Sequence, residues 1–404
     1  MNRFIITRRE DTIYSSLFSD STMVQVNAES ANHPGILGNI YLGKVKNIVK
    51  NINAAFIEVA NGLMCYYSLA ENPMPVYANA KKSSRLVIGD ELLVQISRED
   101  VKTKAPTVTS GLNLTGKYVV LTHGKTQTGL SGKITRQSER KRLADAVAPY
   151  KTEDYGFIIR TNAASVPWNK VEDEIRYLAD CYWKLRTNGI HKKCFSLILP
   201  SMPGYLCDIR DGYDDCIDEF VTDDMEIYNK IKEYLSVYNK EETLSAKLRF
   251  YQDELLPLDR LYGISEKIKK ALDKKVWLKS GGYLVIEPTE ALTVIDVNTG
   301  KAIAGRKEAE ETFYRINLEA ADEIARQLRL RNLSGIIIID FIDLKSKEKT
   351  TDIIKHMEQL AAADPVRTTV VDITELHLLE LTRKKVRKPL HEQLKGKYTS
   401  EGKE

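Results

Sequence analysis

Two aspartates close apolar runs: Asp296 ends LTVID and Asp340 ends SGIIIID. Burying an unpaired carboxylate is unfavourable, so a charge at the end of an apolar strand asks for a partner. If both strands lie in one sheet with the same sense, the two carboxylates emerge at one edge, where ligands of open α/β sheets collect. Neighbouring carboxylates repel, and one takes up a proton unless a cation sits between them. Magnesium suits such a pair: it takes oxygen ligands, keeps several waters and is commonly held by one or two carboxylates plus a substrate phosphate. Asn298, in DVNTG, stands two residues past Asp296 and on an extended strand faces the same side. Its amide is placed to orient a water or a phosphate oxygen. Asp343 lies three residues beyond Asp340, off that register, and its part, in the site or around it, stays open. A cation held there polarises a phosphoryl group and activates water. Either aspartate alone is more simply a strand-end cap or the partner of a buried arginine. Two of them, with an asparagine beside one, favour the metal.

The elements that must carry these residues are legible in the spacing. GGYLVIEPT and ALTVIDVNTG read as a hairpin-like strand pair. EAEETFYRINLEAADEIARQLRLRN reads as a long amphipathic helix with an apolar stripe of Phe313, Ile316, Ala320, Ile324 and Leu328. SGIIIIDFIDL reads as a buried strand, KTTDIIKHMEQLAAADP as a helix and RTTVVDIT as a further strand. Strand, helix and strand in alternation indicate an α/β core over 276–390, followed by a loose polar tail over 391–404.

Upstream, residues 1–36 alternate apolar and polar as short strands and close at the turn NHPG. Residues 37–121 are β throughout, with strands in NIYLGKVKNIV, AAFIEVA, GLMCYYSL, DELLVQIS and KYVVLT, which suggests a small barrel. PMPVYANAKKSSRLV reads as a loop and SREDVKTKAPTVTSGLNLTG as a polar surface crossing. Residues 122–200 mix helices with the strand GFIIRTN, an α+β unit, and 201–275 are mainly helical and charged. A chain of 404 residues is too long for one core, so several domains are expected.

Composition narrows the setting. The net charge is +4, from 60 Lys and Arg against 56 Asp and Glu, and says little alone. Its clusters say more: TRKKVRK and SGKITRQSERKR are either solvated faces or, beside a chemical site, attractors of a polyanion. The five cysteines are scattered with no CxxC pair, so reduced thiols are expected rather than a zinc or disulfide framework. No run has the length of a membrane span and the N-terminus MNRFIITRRE is no secretory signal, so a cytoplasmic location is expected.

GGYLVIEPTEALTVIDVNTG followed by NLEAADEIARQLRLRNLSGIIIIDFIDL resembles the ribonuclease E/G family, in long and nearly continuous stretches. Weaker matches extend through GNIYLGKVKNIVKNINAAFIEVANG, GFIIRTN and ELTRKK, so the resemblance covers most of the chain from Gly38 to about Arg387. It implies a multidomain α+β fold. An RNase H-like domain (1–36 with 201–275) would carry an inserted OB-fold RNA-binding barrel (37–121) and a 5′-monophosphate sensor region (122–200). A DNase I-like α/β catalytic domain (276–390) would follow.

The resemblance also implies an endoribonuclease that cuts single-stranded, often AU-rich RNA. A metal-activated water would leave a 5′-phosphate and a 3′-hydroxyl, in rRNA processing or mRNA decay. In the family the aspartates matching Asp296 and Asp340 bind catalytic Mg2+, with Mn2+ left open as a substitute, and the asparagine matching Asn298 supports them. Phe56 and Tyr66 would stack bases, with Lys104, Lys44 and Lys46 meeting phosphates; a lone Phe56 would otherwise fill the barrel core. Where the family usually has GFL, this chain has CYY. Arg160 and Thr161 would grip the 5′-phosphate, and Arg367 would join them. The amphipathic helix carries Arg326, Arg329 and Arg331; Arg329 and Arg331 stay unassigned, as guides for RNA or as part of a solvated face. Larger family members carry a zinc-binding CPxCxG motif after the TRKK segment. The present sequence has no cysteine after Cys216, so zinc and a zinc-linked dimer are not expected, while a homodimer stays open.

Two rival readings remain. A non-catalytic RNA-binding regulator of the same fold is disfavoured by the intact Asp296, Asn298 and Asp340. A phosphoesterase of small nucleotides has no use for an aromatic barrel and basic tracts.

Overall fold

A computed structural model describes residues 1–32, 35–60, 62–78, 81, 85–99, 105–213, 217–238, 247–300 and 309–395. The chain forms two compact units: Met1–His33 with Asp214–Glu404, and Pro34–Tyr213.

The first unit contains two sheets. One has five strands in the order Leu248–Phe250, Glu219–Thr222, Asn2–Arg9, Thr12–Ser19, Thr22–Ser30. The N-terminal hairpins therefore share a sheet with two parallel strands from the stretch read as mainly helical. Those strands have four and three residues, too short for a two-residue alternation to register against the flanking helices.

The second sheet has six strands in the order Lys275–Trp277, Tyr283–Pro288, Leu292–Asn298, Gly335–Asp340, Leu378–Arg383, Thr368–Ile373. Tyr283–Pro288 and Leu292–Asn298 pair antiparallel, as the sequence suggested. Leu292–Asn298 then runs parallel to Gly335–Asp340. A parallel neighbour requires a crossover, and the helix Ala309–Leu330 lies in that connection.

Among the described residues, this helix and Lys347–Ala363 cover one face only. Ile316, Ala320, Ile324 and Leu328 of the first and Met357 of the second pack on Ile295, Val297, Ile337 and Ile339. Phe313, at the head of the expected stripe, is half-buried. The four consecutive isoleucines are consequently not all interior. Ile337 and Ile339 are fully buried, but Ile336 is 51% exposed, because alternate residues face the uncovered side. Removing either buried isoleucine side chain to alanine would cost about 2–5 kcal/mol.

The helix Ala309–Leu330 also holds the two sheets of this unit together. Arg326 donates to the Met23 carbonyl at 2.9 Å and Arg329 to Gln25 at 3.2 Å. Arg331 is buried, donates to the Asp273 carbonyl at 2.7 Å, and burial depresses its guanidinium to about 10. Arg331 is therefore no solvated guide for RNA but part of the packing.

In the second unit, Ile40–Val49, Ala54–Ala60, Leu63–Ser68, Thr107–Thr109 and Glu91–Arg98 close into a five-stranded, OB-like barrel when Glu91–Arg98 pairs back onto Ile40–Val49. Its core includes Val45, Ala55, Ile57, Tyr67 and Val94. The stretch read as a polar surface crossing instead supplies the closing strand Thr107–Thr109, with Val108 and Leu112 buried; three-residue strands rich in threonine look like loop. Among its described residues, the loop read before it carries a short strand, Val76–Tyr77.

KYVVLT, read with the barrel, does not join it. Val119–His123 pairs with Tyr155–Ile159 in a separate four-stranded sheet, packed under the helix Trp168–Asn188. Pairing partners distant in sequence decide which sheet a strand enters, and strand composition does not carry that information. Among the described residues no helix is long and apolar enough to cross a membrane.

Candidate active site

Asp296 and Asp340 are direct register partners on parallel strands, at the carboxyl end of each apolar run. Neighbouring strands lie about 4.8 Å apart, so the two carboxylates share one small region of the uncovered face. Asp340 is exposed and Asp296 half-buried. Partial desolvation at the sheet surface, then the charges of Asp296 and Asp343, raise the Asp340 carboxyl above its ordinary value. Such a pair is set to gain from a cation.

Asn298 faces the same side and donates to Asp296 Oδ2 at 2.7 Å. The turn after it needs glycine. Gly300 has φ +57°, and a Cβ there would meet the Gly281 carbonyl oxygen at 2.3 Å. Among the described residues no three His, Cys, Asp or Glu side chains gather as a metal cluster. The donor set is thus two carboxylates and an open face, which fits magnesium, an ion that leaves its other positions to water and phosphate. Asp343 is exposed and contributes its charge to Asp340.

One positioning residue has no signature that the sequence reading caught. Asn317, on the helix Ala309–Leu330 and 1% exposed, donates to the Ile342 carbonyl at 2.8 Å and accepts from the Ile342 amide at 3.1 Å. It clamps the backbone between Asp340 and Asp343. The available signal was an asparagine next to Ile316 on the apolar stripe of an amphipathic helix.

On the barrel, Phe56 and Tyr66 are register partners on adjacent strands, with rings 6.3 Å apart and edge-to-face. Both are half-buried, whereas Ala55, Ile57 and Tyr67 point into the core, so Phe56 does not fill the barrel interior. Lys104 lies outside the described residues. Lys44 and Lys46 are ion-paired to Glu91 at 3.2 Å and Glu58 at 2.7 Å.

Arg160 follows the strand Tyr155–Ile159. Its guanidinium donates to the Gly116 carbonyl at 2.6 Å and pairs with Asp211 at 2.8 Å. The Thr161 hydroxyl meets that of Ser131 at 2.9 Å. Beneath them, buried Glu174 accepts from the backbone amides of Lys117, Tyr118 and Val119 at 2.6–2.9 Å. Gly116 must lack a side chain, since a Cβ would sit 2.4 Å from the Glu174 carboxyl carbon. Asp211, Ser131 and Glu174 were not singled out in sequence, because each acts through partners tens of residues away. Arg367 belongs to the other unit, exposed just ahead of Thr368–Ile373, and its carbonyl accepts from Lys384 at 2.9 Å.

The four cysteines among the described residues, Cys65, Cys181, Cys194 and Cys207, are free thiols. Burial pushes the Cys65 thiol up to about 11.

Comparison with known proteins meets this geometry. The family model for the Ribonuclease E/G family matches residues 113–386. Ribonuclease G of Salmonella typhimurium (strain SL1344) is 34% identical over 380 residues, covering 92% of this chain and 77% of that protein. Ribonuclease G of Haemophilus influenzae is 32% identical over 391 residues, covering 94% and 78%. Ribonuclease E of Nostoc sp. is 32% identical over 383 residues, covering 94% of this chain and 55% of the relative. An α+β chain with an OB-like barrel and an acidic pair at a sheet edge thus belongs to the Ribonuclease E/G family.

Proposed function

We propose that this protein is an endoribonuclease of the ribonuclease E/G type. It cuts single-stranded RNA in a magnesium-dependent hydrolysis that leaves 5′-phosphate and 3′-hydroxyl ends. The observation that carries the reading is the in-register pairing of Asp296 with Asp340 at one sheet edge. Asp296 and Asp340 are the oxygen donors for magnesium, and Asn298 sets the orientation of Asp296. When bound, the ion would supply Lewis-acid polarisation of the phosphodiester and lower the pKa of water. Manganese, another oxygen-seeking cation, is the natural substitute, and zinc has no part in this reading.

Phe56 and Tyr66 give unpaired bases an edge-to-face aromatic surface, worth about 1–3 kcal/mol per stacked base. Arg160 and Thr161 receive a 5′-monophosphate. The six-stranded sheet is the DNase I-like catalytic domain and the five-stranded sheet the RNase H-like scaffold. The biological setting is processing and decay of RNA in the cytoplasm.

The test is a 5′-monophosphorylated single-stranded oligonucleotide incubated with the protein, Asp296→Asn and Asp340→Asn. The unaltered protein is expected to cut with magnesium, to stop when a chelator removes it and to resume when magnesium is restored. Each variant should lose at least about 100-fold in rate, the several kcal/mol that a Lewis acid contributes, while still binding RNA. Equal cutting by all three would misplace the site. Binding without cutting by any would favour the non-catalytic RNA-binding regulator.

A further inference from the structure

The edge strand Lys275–Trp277 belongs to the sheet that carries the two aspartates. Trp277 is in register with Tyr283, and Tyr283 with Asn298, so these three side chains form a row across the uncovered face. Lys275 heads the neighbouring row, through Val285 to Asp296 and Asp340. The Trp277 and Tyr283 rings are 5.2 Å apart and tilted by 58°. The Lys275 ammonium lies 3.5 Å from the centre of the Tyr283 ring and 4.2 Å from that of Trp277. Trp277 nevertheless stays 59% exposed. At two strand spacings it is about 10 Å from the Asn298 strand, close enough to serve the same strand of RNA.

We propose that Trp277, Tyr283 and Lys275 form a stacking subsite for an unpaired nucleobase flanking the phosphate that Asp296 and Asp340 engage. This deepens the endoribonuclease reading and rests on it. An aromatic face stacks any base, because every base has a π-face, and a cation held on the rings adds attraction for the backbone. The aspartates need a phosphate brought toward them against their own charge. Lys275 is the cation on their row, and among the described residues it rests on ring faces rather than on a carboxylate. That combination selects a nucleotide over an apolar protein segment, which would use the rings and leave the ammonium without a partner.

The experiment measures kcat/KM on a single-site, 5′-monophosphorylated oligonucleotide and on versions made abasic at each position flanking the cut. Trp277→Ala should cut the intact oligonucleotide about tenfold more slowly, on the order of one aromatic–base stack. One abasic position should slow the unaltered protein by a similar factor and leave Trp277→Ala indifferent. Trp277→Tyr should regain most of the loss, which separates stacking from misfolding. If Trp277→Ala responds to every abasic position as the unaltered protein does, the subsite is wrong. If it instead changes the sedimentation behaviour with that response intact, the face joins copies of the chain and the proposal falls. No cutting by the unaltered protein would overturn the endoribonuclease reading itself, and the subsite with it.

Discussion

Asn298 donates its side-chain amide to Asp296 Oδ2 across 2.7 Å, so one oxygen of that carboxylate is held by the protein, and among the described residues no side chain donates to the other. Residues that orient a metal-binding carboxylate are typically worth 10–100-fold in metal affinity or activity. Asn298→Ala is accordingly expected to raise the magnesium concentration for half-maximal cleavage and to lower kcat by about that factor. KM for RNA should change little. A magnesium titration of cleavage at saturating RNA checks it, and an unchanged titration curve would remove Asn298 from the site.

Asn317 acts through backbone. Asn317→Ala leaves both the amide and the carbonyl of half-buried Ile342 without their partner, at up to about 1–3 kcal/mol each, the penalty for a fully buried group left unsatisfied. Thermal unfolding should register that loss. Because Ile342 lies between Asp340 and Asp343, kcat should fall further than the fraction of protein unfolded explains. Circular dichroism and kinetics on one preparation separate the two effects.

Arg160 is engaged by Asp211 at 2.8 Å, so a 5′-phosphate must compete with a carboxylate for the guanidinium. Asp211→Asn should therefore increase the preference for a 5′-monophosphorylated over a 5′-hydroxyl substrate, and Arg160→Gln should reduce it. The pair is partly exposed and solvent-screened, so each shift is expected within about tenfold. The ratio of kcat/KM on the two substrates is the measurement. An unchanged ratio in both variants would leave Arg160 a structural salt bridge.

His123 gives a pH dependence with a definite sign. It is buried, with Nε2 facing the Met74 carbonyl at 3.0 Å and Nδ1 meeting the Tyr182 hydroxyl at 2.8 Å, the pattern of a neutral imidazole. Burial holds its pKa below the usual 6.5. Below 6.5 the unfolded chain then binds a proton that the folded one refuses, so the stabilising contribution is present above 6.5 and lost as pH falls through the folded pKa. The melting temperature should drop between pH 7 and pH 5, and less steeply in His123→Gln. Parallel slopes in the two proteins would contradict this.

Local physics is legible in residue order. The hairpin Tyr283–Pro288 with Leu292–Asn298 and the helix Ala309–Leu330 follow from alternation and a three-to-four residue apolar stripe. The same alternation implies that Asn298 and Asp296 share a side. What residue order conceals is the strands of three or four residues, such as Thr107–Thr109 and Glu219–Thr222, whose burial depends on partners far along the chain. The isoleucine run misleads in another way: composition reads as full burial, but among the described residues helices cover only one side of the sheet.

From the sequence by itself came the acidic pair, the asparagine beside it and the strands that end in them, because backbone geometry repeats every two or every 3.6 residues and writes itself into local pattern. Tertiary structure alone decided that Asp296 and Asp340 are register partners, that Val119–His123 leaves the barrel, that Asp211 holds Arg160, and that Lys275 comes to rest on Trp277 and Tyr283. Each of these is a pairing between segments that chain folding brings together. Its free energy comes from contacts that exist only after the loop between them has closed.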